Sequence, residues 1–135
     1  MNPTRFELRD REEVKRFRRG VVLKPGSFDL SKLKEVCERI VYATDGYGVR
    51  TDEIKQQLEE GLKEFDPHTD VLVPLGSASI CVMAAVVLTR SILQSKRDDI
   101  DGFMMGVFLP PSGSYEFWHV PIHPEDRARE LQSEL

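Results

Sequence analysis

The sequence predicts an α/β or α+β domain: a small mixed sheet of three to four strands, a buried central helix over 78–95 and a C-terminal β-hairpin over 103–120. Three observations carry that expectation. Val71-Leu72-Val73 runs through Pro74-Leu75-Gly76-Ser77 into an apolar stretch of helical length. Gly102-Phe103-Met104-Met105-Gly106-Val107-Phe108-Leu109 and Tyr115-Glu116-Phe117-Trp118-His119-Val120 flank the turn sequence Pro110-Pro111-Ser112-Gly113-Ser114. Upstream of both lie two stretches whose apolar residues recur at helical spacing. At 135 residues a single domain buries roughly two-thirds of its unfolded surface without metal or disulfide staples.

Taken in order, Val14 and Phe17 fit a short helix over 10–19, with Gly20 as its stop. Val21-Val22-Leu23 reads as a short strand, and Lys24-Pro25-Gly26-Ser27 is turn chemistry. Asp29 then caps a helix whose Leu30, Leu33, Val36, Cys37, Ile40 and Val41 form one face, ending near Ala43. A two-glycine turn, Thr44-Asp45-Gly46-Tyr47-Gly48, follows. Thr51 caps the next helix, with Asp52 and Glu53 opposing the positive end of its dipole. Its apolar stripe is Ile54, Leu58, Leu62 and Phe65, and Asp66-Pro67-His68 ends it.

Val71-Leu72-Val73 is a buried strand. Residues 78–95 are apolar all round, which predicts a helix covered on every side. If strands 71–75 and 103–109 are parallel, the intervening helix crosses over right-handed. The last dozen residues, opening His123-Pro124-Glu125-Asp126, read as a short amphipathic helix with Pro124 in its first turn.

Charge divides the chain. Residues 1–24 hold eight basic residues against four acids and carry +4, so the remainder of this −4 chain carries −8. The domain expectation is a basic arm over 1–24 and a single α/β domain over 25–135. Cys37 and Cys81 fall in apolar helical patterns without metal-type spacing, as reduced buried thiols would. The amino terminus is charged rather than leader-like, and the 80–88 run is short for a bilayer and closed by Arg90. A soluble cytoplasmic protein without membrane association is the expectation.

For chemistry, Gly76-Ser77-Ala78-Ser79 stands out. A strand entering a helix through small polar residues presents free amides and hydroxyls at a positive helix end, which suits a phosphate. The loop lacks both the Walker and the dinucleotide fingerprints. Under the plainer reading, Gly76 makes the turn and Ser77 or Ser79 caps the helix. It is also not a Gly-x-Ser-x-Gly elbow, and no catalytic residues are assigned.

His119 and His123, with Glu125 and Asp126, lack metal-ligand spacing, so no metal and no cofactor are expected. Asp99-Ile100-Asp101-Gly102 echoes only part of a calcium loop. A helix-turn-helix at 47–54 is opposed by Asp52, Glu53, Glu59, Glu60 and Glu64, which repel phosphates. Aromatic residues crowd the hairpin on both faces, which fits a covered sheet or a homodimer through it.

The leading functional expectation is a non-enzymatic binding or regulatory protein. It would hold a phosphate-bearing small molecule at Gly76, Ser77 and Ser79, and would self-associate. The alternative is a nucleic-acid-associated protein using Arg11, Lys15, Arg16, Arg18 and Arg19. A third reading is an enzyme acting on a nucleotide or phosphoester, with Ser77, Ser79 and His119 in one pocket.

Overall fold

The structure, a computed structural model, describes residues 15–46, 50–95 and 97–122. Its elements are β1 (Phe17–Val22), α1 (Ser31–Val36), β2 (Cys37–Tyr42), α2 (Thr51–Gly61), β3 (Asp70–Val73), α3 (Ala78–Ser95), β4 (Gly102–Leu109) and β5 (Ser114–Pro121). The five strands form one mixed sheet in the order β2-β1-β3-β4-β5. The first four are parallel, and β5 returns antiparallel beside β4.

Two apolar layers sandwich the sheet. Val21, Leu23, Leu72 and Phe103 face α2 and α3, meeting Leu58, Leu62, Ala84, Leu88 and Ile92. Val22, Val71 and Val73 face the other way, with Leu33 of α1, Cys37, and Phe17 tilted against Phe117 with ring centres 5.1 Å apart. The β1-to-β2 crossover runs one way along the sheet and those from β2 to β3 and from β3 to β4 run the other, so right-handed connections put α1 on one face and α2 and α3 on the other. Gly20 leaves room for Leu33 of α1 and the Cys37 thiol of β2, because a Cβ there would stand 3.4 Å from Leu33 Cδ2 and 2.9 Å from Cys37 Sγ.

The α/β class, the hairpin and the bounds of α3 match the sequence reading, and β3 and β4 are parallel. Four expectations are corrected. The sheet has five strands rather than three or four. Residues 17–19, placed by sequence in a helix over 10–19, extend the expected strand at Val21-Val22 backward to form β1, an interior strand paired on both sides. Arg and Lys suit a helix, but Val21 and Val22 gain more from pairing on both sides and burial on both faces.

The helix expected to reach Ala43 stops at Val36, and Cys37–Tyr42 pairs with β1 instead. Its Ile-Val-Tyr ending favours a strand, and apolar residues in adjacent pairs satisfy either period. Asp29 does support the start of α1, since its Oδ1 accepts the Ser31 amide (3.0 Å) and hydroxyl (2.7 Å). Those bonds hold its carboxyl below the ordinary value.

Last, α3 is not covered on every side. Ile80, Ala84, Leu88 and Ile92 are buried, whereas Val82 is 64%, Val86 52% and Leu93 51% exposed. All 18 residues of α3 together are long and apolar enough to cross a membrane, which residues 80–88 alone are not. In this fold one of its faces is committed to the sheet. The helix expected after His123 lies outside the described residues.

Candidate functional site

In open sheets of this kind, ligands bind beyond the carboxyl ends of the strands, where successive crossovers diverge. Here that point lies between β1 and β3, because the chain leaves β1 toward β2 and returns on its other side as β3. Three loops meet along this edge, following β1, β2 and β3.

The loop after β1 is anchored by Leu23, which is fully buried. Its carbonyl accepts the Thr44 hydroxyl at 2.8 Å and the Thr44 amide at 3.0 Å, tying this loop to the end of β2. Thr44 is itself buried, so the tie is shielded from water. Lys24 then leaves the sheet, and its stem lies against Gly76: a Cβ on Gly76 would stand 3.7 Å from Lys24 Cγ and Cδ. Pro25 meets the loop after β2 in the same way, with Cδ 3.5 Å from the Cβ position of Gly46.

After β3 the chain tightens at once, with Leu75 N–H donating to Val73 O at 2.9 Å. Gly76 has φ +151°, and a Cβ would stand 2.7 Å from Ile80 Cγ2, so glycine is required there. Ser77 caps α3: its Oγ accepts the Ile80 amide at 3.3 Å and its carbonyl accepts the Cys81 amide at 3.1 Å. The Cys81 thiol donates to Pro74 O at 3.3 Å and fastens the loop to the first turn. The plainer expectation thus holds for Gly76 and Ser77. What remains for chemistry is the exposed edge: the amides of Ala78 and Ser79, which precede the first intrahelical bonds, and the Ser79 side chain. The Lys24 stem lies against Gly76, two residues before Ala78.

Next to this edge, Asp45, Glu53 and Glu60 line an acidic depression between β2 and α2. An anion is therefore favoured at Lys24 and repelled one loop further along.

The opposite edge of the sheet holds a second polar group. Asp99 Oδ2 meets His68 Nε2 at 3.0 Å and accepts from Arg97 at 2.8 Å. Arg97 first, and His68 after it, hold the Asp99 carboxyl well below the usual carboxylate range. His119 Nε2 lies 3.2 Å from Asp101. These side chains are exposed, and among the described residues no three His, Cys, Asp or Glu are grouped to hold a metal ion. His119 pairs with Met104, which lies opposite Val71 near the start of β3, while Ser77 follows the end of β3. The Ser77, Ser79 and His119 pocket of the third reading is therefore not formed.

The basic segment is also redistributed. Arg19 is bound by the buried Asp70 at 2.7 Å and donates to Glu64 O at 2.8 Å. The Arg16 guanidinium lies 5.0 Å from the centres of both the Phe17 and the Phe117 rings. Arg18 is exposed, Lys15 is partly so, and Arg11 lies outside the described residues.

Lys24 is the site residue that sequence reasoning missed. Its signal was a basic residue directly after a Val-Val-Leu strand, which matters only once that strand is set beside Val71-Leu72-Val73. Compared with protein-family models, with curated proteins and with solved structures, the chain has no significant match.

Proposed function

We propose that this chain is a binding protein for a small phosphate-bearing molecule, held where the loops after β1 and β3 meet. The observation that carries the reading is the packing of the Lys24 stem on Gly76. It brings a flexible ammonium group to the start of an 18-residue helix, at the point where the strand order reverses. Lys24 would supply the full charge, and the Ala78 and Ser79 amides and the Ser79 hydroxyl would supply directional donors. Ser77 would act by keeping the first turn in place. No nucleophile or acid–base pair is needed for this role, so the reading is of binding rather than turnover. Self-association, if it follows the aromatic hairpin, would fall at edge strand β5, where Trp118 is exposed.

Calorimetric titration with inorganic phosphate and with ADP tests the reading. Saturable heat is expected for at least one of them, with about tenfold weaker affinity in Lys24→Ala, since losing one charged contact removes about 1.4 kcal/mol or more. Binding that is absent at millimolar ligand, or unchanged in Lys24→Ala, would overturn it.

A further inference from the structure

The groove between α2 and α3 begins about one turn beyond Ser79 and has a character of its own. It encloses about 510 Å³, with a floor of Val82, Met83, Val86 and Val87 and a rim that includes Lys55, Lys63 and Arg90. Along the outward side of α3, positions 82, 86, 89 and 93 are Val, Val, Thr and Leu. That 4-3-4 spacing is the seam a helix offers to another helix. Three of the four are apolar and more than half exposed. Isolated exposed apolar residues are ordinary, but an apolar row bordering a groove, here broken once by Thr89, marks a contact surface.

The charges of the rim identify what would cover it. Lys55 pairs with Glu59 at 3.8 Å, whereas Lys63 and Arg90 have no acidic partner among the described residues. A second copy of the chain would bring the same cations to the same face, because a two-fold contact sets a patch against itself. Like charges across such a contact oppose it. A flat lipid surface would leave the floor of a concave groove unfilled. A helix with an apolar stripe and acids beside it satisfies both floor and rim.

We propose that the α2/α3 groove docks an amphipathic helix of another protein, apolar along one stripe and acidic next to it. The lining of the groove on α3 runs from Val82 to Gln94, about three turns, so a docked helix of similar length would span it.

The probe is a fluorescein-labelled peptide of about fourteen residues, with leucines at heptad seam positions and glutamates beside them. Its counterpart carries lysine for every glutamate. Against the full chain, fluorescence polarisation should show saturable binding of the acidic peptide and about tenfold weaker binding of the basic one. In the double variant Lys63→Glu, Arg90→Glu the preference should invert, with far-UV circular dichroism confirming an intact fold. Val86→Glu should abolish binding of either peptide, and Lys24→Ala should leave it unchanged, which separates this surface from the phosphate site. Equal binding of both peptides, no binding, or a preference unmoved by charge reversal would overturn the proposal. So would a dimer in sedimentation that Val86→Glu breaks, which would assign the groove to a second copy. Association with phosphatidylserine vesicles in place of the acidic peptide would assign it to a membrane and equally overturn the proposal.

Discussion

Arg19 grips Asp70 through two hydrogen bonds to one oxygen: Asp70 Oδ2 lies 2.7 Å from Nη2 and 3.1 Å from Nε of the guanidinium. The carboxylate is almost fully buried, and the same oxygen accepts the Asp66 amide at 2.9 Å. This pair locks β1 to β3 at the start of their ladder, where Arg19 and Asp70 stand in register. Removing one member strands the other. Arg19→Leu should cost about 3–5 kcal/mol, because a buried charge loses its partner. Asp70→Asn should cost less, since it leaves a neutral acceptor for the Asp66 amide. Urea denaturation of the two variants checks the order.

Helix α3 offers an internal comparison. Leu88 is 1% exposed and Leu93 51% exposed, five residues apart on the same helix. Leu88→Ala should cost about 2–5 kcal/mol through lost burial and the cavity left behind. Leu93→Ala should cost less than about 1 kcal/mol, in the range of ordinary surface substitutions. Thermal melts of the two variants should separate clearly, whatever covers the outer face of α3 in the cell.

Cys37 should be slow to react. Burial, and to a lesser degree the charge of Asp70, push its thiol up to about 11. With an unfolded value near 8.5, the folded state holds its proton longer than the unfolded chain does. Stability is therefore unaffected below the unfolded value and is lost as pH rises from there toward about 11. Ellman's reagent at pH 8 should modify Cys37 only at the rate of unfolding. Cys37→Ser should flatten the alkaline limb of a stability profile.

Asp99 works in the opposite direction. Hydrogen bonds from Arg97 first and His68 second keep its carboxyl ionised to unusually low pH. Its contribution is present above the ordinary aspartate value and fades as pH falls through the lowered one. Carbon-detected NMR titration should find Asp99 among the last aspartates to protonate, and Arg97→Gln should return it toward the others. The pair is exposed, so the effect belongs to titration rather than to overall stability.

Elements with only one satisfactory partner were legible in the sequence. Helix α3 and the hairpin strands are long apolar runs bounded by turn residues, so local signals agree with the fold. Residues 15–42 were harder because their local and long-range preferences conflict. Arg16, Arg18 and Arg19 look like a solvated basic face until Asp70 and Phe117 arrive from distant parts of the chain. Cys37 to Tyr42 carries apolar residues that suit helix or strand, and only pairing with β1 decides between them.

The same limit applies to function. Gly76 and Ser77 announced their turn and cap, but Lys24 became part of that edge only through a parallel pairing between strands some fifty residues apart. The exposure of α3 was hidden for a related reason. Composition shows how apolar a helix is, and the number of layers in the fold decides how much of it is covered.

The position of β1 has a consequence for how the chain assembles. Among the described strands it is the first in the chain, yet it has neighbours on both sides, and they become available at different times. β2 follows within a short crossover, while β3 must wait for α2 to be made. Until then one side of β1 has open amides and carbonyls with Val21 and Val22 beside them, a template for an intermolecular strand. Arg18 and Arg19 sit within that waiting strand, and their charge opposes stacking of one nascent chain on another. Two of the basic residues that read as a binding arm thus belong to an interior strand of the sheet.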